Sequence, residues 1–319
     1  MSHEKKKLLV TGAAGYIGGV FLRALVQQRW SGPIVGLDKV PARSPVAGVR
    51  YLQADMLAPQ WCALIEEQKP DVLVHLAFVV DPMRDEGLMR RINVEGTKRT
   101  FSAAKAAGVR QLVVASSASA YGAFVDNPLP LREDHPIRAA QLPFEYARDK
   151  AILEHYYEEF RREHPACALA IVRPVIVLGP NVENYLSRFV YAFPLVPLPD
   201  GGNTPIQFVH EQDVAGVLVR IVETGQSGAF NVAGEEWLTF AEICRMAKRP
   251  TVSVPANWLR MALKALWRTG WRRVEAPDTV VDYLVHPWVV STDRVTKELG
   301  YRMRYTGRDA ARDLIRTSS

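Results

Sequence analysis

At 319 residues, 48% hydrophobic and 23% charged, the chain has a globular balance with room for one large domain or two modest ones. Its formal charge of +6 is uneven: nearly all the excess lies in residues 258–273, where Arg260, Lys264, Arg268, Arg272 and Arg273 occur with no acid, which argues against a general nucleic-acid-binding surface. The three cysteines (Cys62, Cys167, Cys244) are widely separated and odd in number, no apolar run reaches the ~18 residues of a membrane span, and the charged start does not read as a secretory leader; the expected setting is cytoplasmic, with no disulfide framework and no metal.

In chain order, residues 7–10 form a short apolar run ending at Thr11-Gly12, and a helical pattern follows over 16–28. Strand-like runs recur at 33–38, 49–55, 71–76 and 111–116, with helices before 71 and over 96–107. Short apolar runs bounded by turn signals and separated by helices predict a parallel sheet covered on both faces, the doubly wound α/β Rossmann-type fold. Residues 174–205 have no clear period. Residues 208–223 read as a strand end and a helix, and 229–232 as a strand. The expected division is a dinucleotide-binding domain over 1–173, rejoined by a segment at 206–233 that crosses back to the sheet. A smaller C-terminal substrate-binding lobe takes 174–205 and 234–319.

The loop Thr11-Gly12-Ala13-Ala14-Gly15-Tyr16-Ile17-Gly18 follows a strand and opens a helix. Backbone amides at a helix start favour an anion, and glycines let the chain approach a pyrophosphate. Asp38, twenty residues past Gly18, is placed to accept hydrogen bonds from the adenosine ribose and to repel a 2′-phosphate. This favours NAD over NADP, with Lys39 and Arg43 nearby as opposing charges.

Tyr146 and Lys150, four residues apart, share one face of a helix. To act as a base near neutrality the phenol must be about 3 pH units more acidic than free tyrosine, and a close ammonium supplies roughly 1 to 3. The run Ser116-Ser117-Ala118-Ser119-Ala120-Tyr121-Gly122 follows a buried-looking strand, which puts its hydroxyls at the C-terminal sheet edge, where open α/β sheets bind ligands.

With its Gly-x-x-Gly-x-x-Gly spacing, the chain resembles the short-chain dehydrogenase/reductase superfamily, in its extended, epimerase/dehydratase-like branch. Further landmarks match in order: Asp55-Met56, His75-Leu76-Ala77-Phe78, Asn93-Val94-Glu95-Gly96-Thr97, Arg173-Pro174, Gly179-Pro180, Phe208-Val209-His210 with Asp213, and Phe230-Asn231-Val232-Ala233. The resemblance implies Ser117, Tyr146 and Lys150 as the catalytic group, with Ser119 the rival serine and Lys150 also holding the nicotinamide ribose. It implies cofactor contacts at Gly12, Gly15, Tyr16, Ile17, Gly18, Asp38, Lys39, Asp55, Met56, Leu76, Ala77, Phe78, Asn93, Ala115, Tyr146, Lys150, Pro174 and Val175. It also implies a homodimer, in which Arg90, Arg91 and Lys98 pair with Glu154 and Glu158 across a helical interface. Asp149 stands where the family often has serine.

Two departures concern substrate. The sugar enzymes commonly carry asparagine three residues after the arginine of the Arg-Pro pair; Ile176 stands there. The dehydratases add an Asp-Glu pair where Ala118-Ser119 stands. The expected substrate contacts are Val79, Ser117, Ser119, Phe144, Ile176 and Tyr185, with Phe189 as a further apolar candidate. The reaction expected is hydride transfer at a secondary alcohol or ketone carbon. The substrate is left open between a sugar or nucleotide sugar and an apolar alcohol of the hydroxysteroid or dihydroflavonol kind. Within 258–273, cations recur every four residues opposite Leu259, Leu263, Leu266 and Trp267, an amphipathic basic helix. It reads first as a lobe helix with a solvated basic face, with contact to a membrane surface or an anionic substrate as alternatives. His210 is expected to make a structural hydrogen bond.

Overall fold

The structure is a computed structural model and describes residues 5–182, 194–269 and 274–318. Tyr185, Phe189, Arg272 and Arg273 lie outside the described residues.

Strands β1 (Leu8–Thr11), β2 (Ile34–Asp38), β3 (Val49–Gln53), β4 (Val72–His75), β5 (Gln111–Ala115), β6 (Ala168–Pro174) and β10 (Gly228–Val232) form a seven-stranded parallel sheet in the order β10-β6-β5-β4-β1-β2-β3. Successive residues pack to opposite faces, as a pleated strand requires. Leu8, Val10, Val72, Val74, Val113 and Val172 join one apolar layer. Leu9, Leu73, Leu112, Val114 and Ile171 join the other. The first layer is covered by helices α1 (Tyr16–Gln27) and α6 (Glu211–Thr224), the second by α2 (Pro59–Gln68), α4 (Gly96–Ala106) and much of α5 (Glu145–Glu163). Both faces being buried explains why these strands read as continuous apolar runs.

The stretch leading into α4 is one rod of mixed pitch. It starts at α3 (Glu86–Arg90), whose first turn is capped by Asp85 accepting from the Leu88 amide at 2.8 Å, and continues through a π-helical turn over Arg91–Glu95. A π turn inside a helix often marks a functional site.

The smaller part has its own sheet. Strand β9 (Pro205–His210) pairs in parallel with β7 (Ile176–Leu178) and antiparallel with β11 (Trp237–Thr239); β8 (Val196–Pro199) pairs with β12 (Thr251–Val254). Within the expected return at 206–233, β9 thus lies in this smaller sheet, while α6 packs on the central sheet and β10 joins it. Ile206 and Phe208 pack with Leu178, Leu238 and Phe240 in a separate core, which holds β9 in the lobe. Helix α7 (Phe240–Met246) starts with a full capping box between Thr239 and Glu242. Helix α8 (Ala256–Thr269) closes a small cluster of Leu259, Leu263, Val274 and Val281.

Candidate active site

The glycine loop has no room for side chains where it turns. Gly12 lies at φ +71°, and a Cβ there would meet the Ala77 nitrogen at 2.6 Å. A Cβ on Gly18 would fall 2.1 Å from the Gly12 carbonyl, so the helix start packs directly on the turn. Gly15 is the N-cap of α1, and no side chain accepts from the first-turn amides. Those amides, with the positive helix end, form a bare cradle for a pyrophosphate. Leu76 and Ala77 line its floor, with the Leu76 amide donating to the Thr11 carbonyl at 3.1 Å. Tyr16 and Ile17 are half-buried at the rim.

Asp38 ends β2 and accepts from the Ala14 amide at 2.9 Å, which ties the acid to the loop. Lys39 reaches the Asp55 carboxylate at 2.8 Å, and this pairing, with the Leu57 amide, holds the Asp55 carboxyl below its usual range. An exposed lysine is thus turned towards the neighbouring acid, which weakens its competition with Asp38. Met56 is buried against Gly96 at the head of α4.

Behind the loop, the His75 ring is buried between Thr11 (2.7 Å from Nδ1) and Thr97 (3.0 Å from Nε2). Burial, and the Lys150 charge, push its pKa down to about 3, so it stays neutral and ties β1 to α4. Asn93, inside the π turn, has no exposed surface. Its Oδ1 accepts from the Val79 amide at 2.8 Å, while its Nδ2 reaches the Val79 carbonyl at 3.3 Å and Asp149 at 3.2 Å. The Asn93 amide, expected at the cofactor, is engaged here by the loop after β4 and by Asp149, and it fixes the Val79 backbone. Asp149 is buried on the same clamp, its carboxyl pushed up by burial against the Asn93 hydrogen bond.

The three chemical side chains meet at the C-terminal edge of β5. Ser117 Oγ accepts from the Ser119 amide (3.1 Å) and the Ser119 hydroxyl (2.9 Å). Its own proton is left to donate, and its hydroxyl is hydrogen-bonded to Tyr146. Ser119 is committed to Ser117 through its hydroxyl and to the Tyr283 hydroxyl through its carbonyl (2.8 Å), which favours Ser117 over its rival. Lys150 lies one turn beyond Tyr146. Its Nζ donates to the Ala115 carbonyl at 2.7 Å and sits 3.3 Å from the centre of the Phe78 ring.

The electrostatics differ from the sequence expectation that Lys150 acidifies Tyr146. Burial holds the phenol above its ordinary value, opposed by the Ser117 hydrogen bond. Burial also brings Lys150 down to about 7, with Glu154 and Asp149 resisting, and its ammonium is directed at Ala115 and Phe78. Desolvation outweighs the pairing that the spacing implies.

The walls around Tyr146 are apolar. Phe78 meets it edge-on at 5.7 Å and Phe144 lies at 6.0 Å. Val79 and Ile176 are half-buried, and Val175, beyond Pro174 at the end of β6, is held by its amide to the Val232 carbonyl at 3.1 Å.

Three further residues brace these elements, and two of them, Tyr283 and Glu211, were missed by sequence reasoning. Tyr283 packs on Phe144 at 5.4 Å while its hydroxyl holds the serine turn. Glu211, fully buried, accepts from the Tyr16 hydroxyl at 2.5 Å and from the Asn181 amide, linking α1 to the lobe. Glu154 forms a bidentate pair with Arg173 (3.0 and 2.9 Å), and Arg173 also donates to Tyr121 at 2.7 Å. No local signal marks Tyr283 or Glu211. Of the acids expected at a dimer contact, the Glu154 carboxylate is 1% exposed and satisfied within the chain, while Glu158 pairs with Arg161 on the surface. His210 makes the structural bond expected of it by capping α6 at the Gln212 amide, while Asp213 separately accepts from Tyr301, Arg304 and Tyr305. Among the described residues no group of His, Cys, Asp or Glu side chains is placed to hold a metal, and no helix is long and apolar enough to cross a membrane.

A parallel sheet with a glycine-turned helix start, an acid at the end of the second strand and a serine–tyrosine–lysine edge is the arrangement of a dinucleotide-dependent enzyme fold. The chain belongs to the NAD-dependent epimerase/dehydratase family, whose model matches residues 8–233, and NAD is its cofactor. It is 30% identical to an uncharacterized protein of Mycobacterium tuberculosis over 98% of this chain and 84% of that one. It is 30% identical to a UDP-glucose 4-epimerase of Mycolicibacterium smegmatis over 67% of this chain and 72% of that one. The crystal structure of a UDP-glucose-4-epimerase from Stenotrophomonas maltophila, with bound NAD and formylated UDP-arabinopyranose, shares the fold. It has a TM-score of 0.75 at 20% identity, over 98% of this chain and 97% of that one.

Proposed function

We propose that the protein oxidises or reduces a secondary alcohol or ketone whose substituents at the reacting carbon are apolar, with Ser117, Tyr146 and Lys150 as its catalytic residues. The observation that carries this reading is the Ser119–Ser117 hydroxyl pair at the end of β5 together with Tyr146, whose ring is walled by Phe78 and Phe144. The bare amides after Gly12 would hold the pyrophosphate and Asp38 the adenosine ribose; Lys150 would leave Phe78 to hold the nicotinamide ribose. NAD, when bound, supplies the hydride acceptor or donor. Ser117 donates to the reacting oxygen and fixes it beside Tyr146. In the oxidative direction the Tyr146 phenolate takes the hydroxyl proton, and in the reductive direction the phenol returns it. The Lys150 ammonium favours the phenolate, so a change that restores its full charge promotes the base form. Residues 1–173 with 211–233 serve the cofactor, and 174–210 with 234–319 the substrate.

Ile176 in place of a polar side chain removes a donor that a nucleotide diphosphate would use, and Phe78 and Phe144 offer a surface suited to apolar groups. A second reading, epimerisation of a nucleotide sugar, draws support from the relation to the UDP-glucose 4-epimerase.

The test is NADH absorbance with secondary alcohols of increasing apolar size, beside UDP-glucose and UDP-galactose assayed for interconversion. NADH formation with the alcohols alone is expected; interconversion of the sugars would overturn the first reading in favour of the second. Tyr146→Phe is expected to lower turnover by at least about 10³-fold while NAD affinity stays within about twofold. Undiminished turnover would remove Tyr146 from its role.

A further inference from the structure

Helix α8 is apolar on two sides. Inward, Leu259 and Leu263 are buried with Val274 and Val281, and Leu266 and Trp267 pack beside them. Outward, Trp258 is 68% and Met261 63% exposed, and Ala262 and Ala265 continue the same stripe. A helix on the surface of a water-soluble lobe needs only its inward stripe; a second one, led by a bare tryptophan, needs a partner. Lys264 and Arg268 flank this stripe and are exposed, and no acid occurs anywhere in residues 256–273. Arg260 is the exception among the cations, turned inward to Asp282 and Asn257. The bland expectation of a solvated basic face therefore describes only part of the helix.

The helix also bridges both walls of the candidate active site. On one side the Arg84 guanidinium stacks 5.4 Å over Trp267, and Arg84 ends the same loop that carries Phe78 and Val79. On the other, Asp282 receives Arg260 and is followed by Tyr283, which braces Phe144 and the serine turn.

We propose that α8 seats the protein on an anionic lipid surface, with Trp258 and Met261 entering the headgroup region and Lys264 and Arg268 meeting lipid phosphates. Tryptophan at headgroup depth and cations without acids are the chemistry of an interfacial helix. A second copy of the chain fits less well, because a two-fold contact through this stripe brings the cations of the two helices together and neither helix carries an acid to answer them. Seated this way, the pocket rim lies at the membrane, and the substrate is a membrane-resident secondary alcohol or ketone. That last clause rests on the function proposed above; the docking does not.

The experiment is co-sedimentation of the full chain with vesicles of phosphatidylcholine alone and with added phosphatidylglycerol. Binding is expected on the anionic vesicles, weakened at about 0.5 M salt. Trp258→Ser with Met261→Ser, and separately Lys264→Glu with Arg268→Glu, are expected to lower the bound fraction at least about tenfold with NAD affinity and Tm unchanged. Wild type left in the supernatant, or variants that sediment as wild type does, would overturn the docking; a Trp258-dependent dimer in analytical ultracentrifugation without vesicle binding would replace it. A parallel assay with a water-soluble secondary alcohol separates the two proposals. NADH formation without vesicle binding removes the docking alone, and vesicle binding without oxidation of any alcohol removes the proposed chemistry alone.

Discussion

The cofactor half and the lobe solve opposite problems. Around the glycine loop the chain is held by close neighbours: Gly12 and Gly18 by close backbone approach, Asp38 by the Ala14 amide, His75 by two threonines. In the lobe, α8 leaves Trp258 and Met261 without protein contact over most of their surface. One half matches a ligand of constant shape, so its geometry is closed. The other leaves an apolar stripe of α8 open on its surface. The family model ends at residue 233, before α8.

That contrast predicts steep costs in the first half and near silence in the second. Glu154→Ala is expected to cost about 3–5 kcal/mol, because it leaves the buried Arg173 guanidinium unpaired beside Tyr121. Urea unfolding checks this; a loss below 1 kcal/mol, as for the exposed pairs, would show that Arg173 finds other partners. Gly18→Ala drives a methyl into the Gly12 carbonyl, and about 1–3 kcal/mol of stability should go together with NAD affinity. Retained affinity would mean that the turn yields more readily than a closed geometry allows.

Lys150→Met sharpens the comparison by separating function from stability. The folded Lys150 pKa, about 7, lies below its ordinary 10.5. Between those values the unfolded chain binds more protons, so the lysine's destabilising effect is full below pH 7 and fades as pH rises to 10.5. The variant's gain in Tm over wild type is therefore expected to be widest near about pH 6 and to close above about pH 10, while turnover is lost throughout. A gap that does not change with pH would contradict the desolvated ammonium. The smallest effect belongs to the lobe: Trp258→Ser should leave stability within about 0.5 kcal/mol. A larger loss would mean that the exposed stripe belongs to a core after all.

What could be read from the sequence follows the same divide. The central sheet was legible because two-sided burial writes unbroken apolar runs such as Leu8–Thr11, and the loop because only glycine tolerates the approach at residues 12 and 18. Ser117, Tyr146 and Lys150 were legible as an ordered set, yet their electrostatics were not. The spacing implies a lysine that acidifies tyrosine, and only burial reveals that both groups are pushed towards neutrality. Tyr283 and Glu211 escaped because each meets its partner across more than a hundred residues of chain, Ser119 in one case and Tyr16 in the other. The second apolar stripe of α8 was hidden by its first: alternating cations and leucines draw the eye to one amphipathic axis, and exposure alone distinguishes Trp258 from Trp267.

The π turn at Arg91–Glu95 makes the rod over residues 86–106 intolerant of length change. A π turn carries one residue more than the α-helical turn it replaces. Deleting one residue there would restore regular α pitch, leaving the helix on either side in phase but removing the bulged backbone that presents Asn93. Asn93 would swing off the Val79 backbone and Asp149 together, while His75, held by Thr97 beyond the turn, would stay in place. Insertions and deletions in this helix should therefore be far more damaging than point substitutions on its exposed side, even though none of its residues need touch a substrate.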